Sequence, residues 1–202
     1  MEALASTETP IVTKRPPTPE ERFDALPEGA RAELIRGKIV MMGSPTGEHQ
    51  DAAGEIEHQI RTYLRGKPCK VYHEFDVKPN TKRQNIYRPD VTVLCDPSKY
   101  TSARIIGAPD MVVEVLSPSS VGNDAITKRA SYEEAGIPEY WIVNIIERVV
   151  HVLLLVNGKY EPTTYKATDS IKLTVLDDCV IDLTYVFPPE PVILDDDSED
   201  EE

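Results

Sequence analysis

The run Met111–Leu116, MVVEVL, constrains this chain more than any other stretch. Five of its six residues are apolar, so side chains on both faces of a strand seek burial. That pattern belongs to a central strand covered on both sides by helices or loops. The exception, Glu114, sits between Val113 and Val115. A carboxylate there is costly to bury unless it is paired or coordinates a metal. The plainer alternative is a strand-end residue that reaches solvent beside Ser117-Pro118.

The segments around this strand fit a layered domain. Residues 49–64 place Ala52, Ala53, Ile56, Ile60 and Leu64 three or four apart, which predicts an amphipathic helix ended by Gly66 and Pro68. Alternation predicts strands over 37–43, 70–77 and 88–95, with Val71, His73, Phe75 and Val77 on one face of the second. Residues 123–135 read as a helix stopped by Gly136 and Pro138. Strands follow over 139–144 and 149–156, and Asn157-Gly158 signals a hairpin into 159–166. A mixed sheet flanked by helices accounts for this order better than a sandwich or a bundle. Residues 1–22 and 188–202 are rich in proline or acid and read as disordered tails around one domain, 23–187.

The net charge of −13 argues at first against a nucleic-acid partner. Seven acids, however, fall in the last eight residues, DDDSEDEE. Residues 61–88 carry eight basic side chains, Lys82, Arg83 and Arg88 among them, against only Glu74 and Asp76. Such a block is compatible with phosphate binding, or is simply a solvated surface. The three cysteines, Cys69, Cys95 and Cys179, are odd in number and far apart. They predict neither a disulfide framework nor a zinc site, and with no secretory or membrane segment the expected setting is the cytoplasm.

Asp90 opens the 88–95 strand after Pro89, sharing a face with Thr92 and Leu94. Lys128 and Tyr132 form one helical stripe with Asp124, which otherwise reads as a plain ion-paired surface. Two carboxylates on neighbouring strands plus a lysine suit magnesium and phosphodiester hydrolysis.

The run YRPDVTVL, then GAPDMVVEVLSPSS, then DAITKRASYEEAGIPEYWIV resembles the Uma-two family of restriction-endonuclease-like proteins, within the PD-(D/E)xK nuclease superfamily. ELIRGKIVMMGSPTGEH matches its N-terminal part, so the resemblance spans about Glu33 to Tyr185. It implies an α/β (α+β) fold with a restriction-endonuclease-like αβββαβ core and extra C-terminal antiparallel strands. It implies DNA as substrate and Mg2+ (or Mn2+) held by Asp90 and Glu114; double-strand cutting needs two sites on opposite strands, so a homodimer is the expected assembly. Leu116 stands where the signature has lysine, and the resemblance offers Lys128 in its place. Glu33 would be a further catalytic acid, His49 a neighbour of the site, and Lys82, Arg83 and Arg88 contacts to the DNA backbone. Two other readings remain: a catalytically silent nuclease-fold module binding nucleic acid or protein, and an enzyme for smaller phosphoesters.

Overall fold

A computed structural model of the protein describes residues 15–116 and 123–187, with side chains given for all of these except 123–126. The serines following Leu116 and both expected tail ends lie outside the described residues. The central element is a six-stranded sheet in the order β10-β9-β8-β7-β5-β3. Its strands are β3 (Lys70–His73), β5 (Val91–Leu94), β7 (Met111–Leu116), β8 (Glu139–Asn144), β9 (Val149–Val156) and β10 (Lys159–Lys166). Neighbours are antiparallel except β7 and β8, which run parallel because helix α3 (Asn123–Ala135) crosses between them. The doubly apolar run thus occupies an interior strand, as its composition requires.

Odd-numbered residues of β5 and β7 (Val91, Val93, Met111, Val113, Val115) pack with Ala52, Ala53, Ile56 and Ile60 of helix α2 (Gly47–Tyr63). Ile56 and Ile60 are fully buried, each contributing roughly 2–3 kcal/mol by removal from water. Thr46 caps α2 by accepting from the His49 backbone N–H. On the opposite face Val112 joins Tyr87, Tyr132 and Tyr140 in a second cluster. The Tyr132 ring meets both other tyrosines edge-on.

Several elements differ from the expectation. Helix α1 (Pro19–Asp24) starts ahead of residue 23, its Thr18 and Glu21 forming a capping box. Residues 37–43 supply only half of a hairpin, β1 (Ala32–Ile35) with β2 (Lys38–Met41). Its tight turn has positive φ at Arg36 and Gly37, the conformation that Asn157-Gly158 also adopts between β9 and β10. The expected strand 70–77 ends at His73, because Glu74 adopts a left-handed backbone (φ 45°). Phe75 and Val77 therefore leave the ladder, and β4 (Val77–Lys78) pairs instead with β6 (Ile105–Ile106). Two further short strands, β11 (Ser170–Lys172) and β12 (Val180–Asp182), close the domain against α2.

The cysteine expectation is overturned: Cys69 and Cys95 form a disulfide. The β3–β5 register pairs Lys70 with Leu94, so the next residues outward face each other with Cα atoms 4.0 Å apart. Spacing along the chain cannot reveal a cross-strand pair of this kind. The bond removes the cysteine argument for a reducing compartment. Closing a loop of sequence separation 26 should contribute about 3 kcal/mol. Thermal unfolding with and without reductant should show that loss, and Cys69→Ser should abolish the difference.

Candidate metal-binding active site

Antiparallel pairing alone brings the key acids together. Val91 pairs with Val113 and His73 with Val91, so one step along the strands Glu74, Asp90 and Glu114 form a row across β3, β5 and β7. Adjacent strands lie about 4.8 Å apart, which sets Asp90 and Glu114 side by side on the face shared with Val112. The Glu74 backbone N–H donates to the Asp90 carbonyl at 3.1 Å, closing the row. A left-handed non-glycine residue costs on the order of 1–2 kcal/mol. Here it turns the chain so that Glu74 meets Arg31 (2.9 Å) and Gln50 (3.3 Å).

Hairpin β1–β2 carries Glu33 and helix α3 carries Lys128 to the same point. The Lys128 Nζ lies 2.8 Å from Glu33 Oε1 and 3.0 Å from Glu114 Oε2. Tyr132, one turn on, donates its hydroxyl to Glu114 Oε1 at 2.7 Å. Glu33 also accepts the Arg88 backbone N–H at 2.9 Å. Asp90 accepts from the Val115 N–H at 2.7 Å, and His49 Nε2 lies 3.3 Å from that same Oδ2 atom. Glu33, His49, Asp90, Glu114 and Lys128 are each more than nine-tenths buried.

Two carboxylates thus share one ammonium. Burial above all pushes the Glu114 carboxyl up, to about 8; Lys128 opposes this while Asp90 and Glu33 reinforce it. Burial pulls Lys128 down, but the charges of Glu114 and Glu33 outweigh it and hold the ammonium well above its ordinary value. Burial and the same two acids raise the Tyr132 hydroxyl, keeping it a neutral donor. Burial likewise opposes charge on His49, yet the Asp90 hydrogen bond and charge raise it overall.

A carboxyl whose folded value exceeds its unfolded value of 4.5 binds its proton more tightly in the fold. Metal-free protein should therefore lose stability as pH climbs from 4.5 through about 8, and Glu114→Gln should flatten that slope in denaturant titrations.

Whether these side chains suit a divalent ion turns on donor chemistry. Among the described residues no group of three or more His, Cys, Asp or Glu is gathered as a ready-made cage. Magnesium, however, typically takes one or two carboxylates and keeps waters and phosphate oxygens. Asp90 and Glu114 provide that pair, and both hydrogen-bond partners of Asp90 above fall on Oδ2, leaving Oδ1 clear of them. The excess of acid over base among Glu33, Asp90, Glu114 and Lys128 favours a cation. The donor set fits.

Of the residues singled out in the sequence, Glu33, His49, Asp90, Glu114 and Lys128 converge. Arg88 joins only through its backbone, since its guanidinium pairs with Asp76 (2.7 Å) and the Ala30 carbonyl. Lys82 and Arg83 are exposed on a loop bordering α3. The basic block as a whole is not one surface: Arg61 pairs with Glu57 and Lys78 with Glu20. Sequence reasoning missed Tyr132 as a site residue, though its place one turn after Lys128 was the available signal. It also missed Glu74, Arg31 and Gln50, which only the left-handed turn unites.

The Uma2 family model, described as "Putative restriction endonuclease", matches residues 20–184. The chain belongs to this family. Among curated proteins, slr1290 of Synechocystis sp., described as uncharacterized, is 34% identical over 93 residues. That match covers 46% of this chain and 48% of the relative, so the chain spans about half the length of the curated relative it matches. A crystal structure described as a "putative nuclease belonging to DUF820", from Anabaena variabilis, superposes with a TM-score of 0.70 at 18% identity. The superposition covers 85% of this chain and 98% of that one, and establishes the Uma2 chain's nuclease-type fold. No helix among the described residues is long and apolar enough to cross a membrane.

Proposed function

We propose that this Uma2 protein is a metal-dependent endonuclease that hydrolyses DNA phosphodiester bonds, with magnesium, or manganese in its place, held by Asp90 and Glu114. The observation that carries this reading is the in-register pair of buried carboxylates bridged to a third acid by one buried lysine. A lysine with no catalytic task is expensive to place there, since desolvating an ion pair consumes most of its Coulombic gain.

The bound ion would supply Lewis-acid stabilisation of the phosphodiester and acidify a water. The protein's own groups then have separate tasks. Tyr132 fixes the Glu114 carboxylate and His49 the Asp90 carboxylate, so both oxygens are held before substrate arrives. Lys128 holds its proton and presents positive charge where the phosphate becomes more negative, with Glu33 fixing the direction of the ammonium. Lys82 and Arg83, exposed on the loop that borders α3, offer positive charge to the DNA. Two such sites, one per strand, give the homodimer its purpose.

Incubation of the full chain with supercoiled plasmid in magnesium or manganese, against EDTA, tests the reading. Metal-dependent nicking or linearisation is expected. An intact plasmid in every condition, together with no calorimetric magnesium binding, would sink it in favour of a silent binding module.

A further inference from the structure

The geometry points to the loop over residues 79–84 as the element that reads base edges in the major groove of a DNA duplex; this rests on the nuclease reading above. The loop sequence, PNTKRQ, interleaves two cations with two side-chain amides. A surface that only grips phosphates needs cations. Arg and Lys toward guanine, and Asn and Gln toward adenine, are the pairings that discriminate bases.

The loop is also held in place, which base reading requires. At its foot Val77 and Tyr87 exchange both backbone hydrogen bonds, at 2.7 and 2.9 Å. Hairpin β1–β2 grips its far side: the Gly37 N–H donates to the Gln84 carbonyl at 3.0 Å and the Arg36 N–H to Asn85 Oδ1 at 2.7 Å. Helix α3 grips the other side: Asn85 Nδ2 donates to Ser131 Oγ at 3.0 Å, and the Lys82 N–H to Glu134 at 3.1 Å. All of these anchors except Asn85 use loop backbone, leaving the Asn80, Lys82, Arg83 and Gln84 side chains exposed. Arg61, Lys78 and Arg88 of the same basic block are neutralised by acids. Lys82 and Arg83 have no ion-pair partner among the described residues.

Helix α3 connects the loop to the candidate site: Lys128 lies in the site, while Ser131 and Glu134, further along the helix, hold Asn85 and Lys82. Cavities of about 460 and 400 Å³ flank it, both lined by Lys82 and Arg83. The second is walled by Tyr87, whose ring lies 5.9 Å from the Lys128 Nζ. Arg88, the next residue along, bonds Glu33. On this proposal a duplex engaged at Asp90 and Glu114 and lying along α3 meets an anchored ridge of ion-unpaired, base-reading side chains.

The test selects bound sequences from a random DNA duplex library with the full chain, in calcium instead of magnesium, and compares Arg83→Ala and Gln84→Ala. Parent protein should enrich a short motif, with single mismatches weakened roughly tenfold. Each variant should lose preference at one position of that motif. Absence of any motif, or uniform weakening with a shallower salt dependence, would overturn base reading and leave a phosphate grip. No duplex binding at all would overturn it too. Because the selection needs no cleavage, its failure is distinct from failure of the plasmid assay.

Discussion

Glu114→Gln and Asp90→Asn should each lower metal-dependent cleavage by about 10³-fold, the rate equivalent of losing several kcal/mol of Lewis-acid stabilisation. The amides keep the shape and one acceptor oxygen each, so the Tyr132 and Val115 hydrogen bonds have a partner to return to. What they lose is the charge that attracts a divalent ion. Folding should survive in both, and Glu114→Gln should gain stability at pH 8 because no buried carboxyl there needs to ionise. Initial rates on plasmid, paired with calorimetric magnesium titration, check both halves. A variant that binds no magnesium yet cuts at the parent rate would remove Asp90 and Glu114 from the mechanism.

Lys128→Met should cost about 3 kcal/mol of stability near neutral pH, within the range for removing one partner of a buried ion pair. Glu33 and Glu114 would then face each other without the shared ammonium. Since protonation of Glu114 removes its buried charge, the deficit should shrink as pH falls toward 5. Guanidinium unfolding curves at pH 5 and 8 would show it. An equal deficit at both values would mean that packing against Tyr87, not charge, sets the cost. Cleavage should fall as well, and Lys128→Arg should restore more stability than activity, because a planar fork cannot occupy the same point.

Much of the architecture was legible because period and composition agree along the chain. MVVEVL could only be an interior strand, and α2 and α3 carry helical spacing with stops that glycine and proline make plain. Of the site, Asp90, Glu114 and Lys128 stand out by type and position, and the meeting of the two acids follows from register. What escaped depends on backbone geometry or contact at a distance. The Arg36-Gly37 turn lacks the asparagine that announces its twin at Asn157-Gly158. The Glu74 kink is invisible in a segment whose alternation runs smoothly to Val77. Buried Glu139 gave no warning either: at a strand start it reads as ordinary, yet Trp141, Thr174 and Val175 donate to it from 2.6 to 3.2 Å. Glu139 also shows that a buried acid need not signal chemistry. With donors for both oxygens it anchors the C-terminal segment, whereas Glu114 shares a single cation with Glu33.

The wiring of Lys128 has a consequence for synthesis. Its partner Glu33 leaves the ribosome early, in hairpin β1–β2, and must wait for a helix made after five further strands. A stalled or truncated chain can hold Glu33, Asp90 and Glu114 and still lack Lys128, the ammonium that Glu33 and Glu114 share. Chains that end before α3 therefore lack the complete constellation, which assembles only once that helix has been made and has packed against the hairpin and β7.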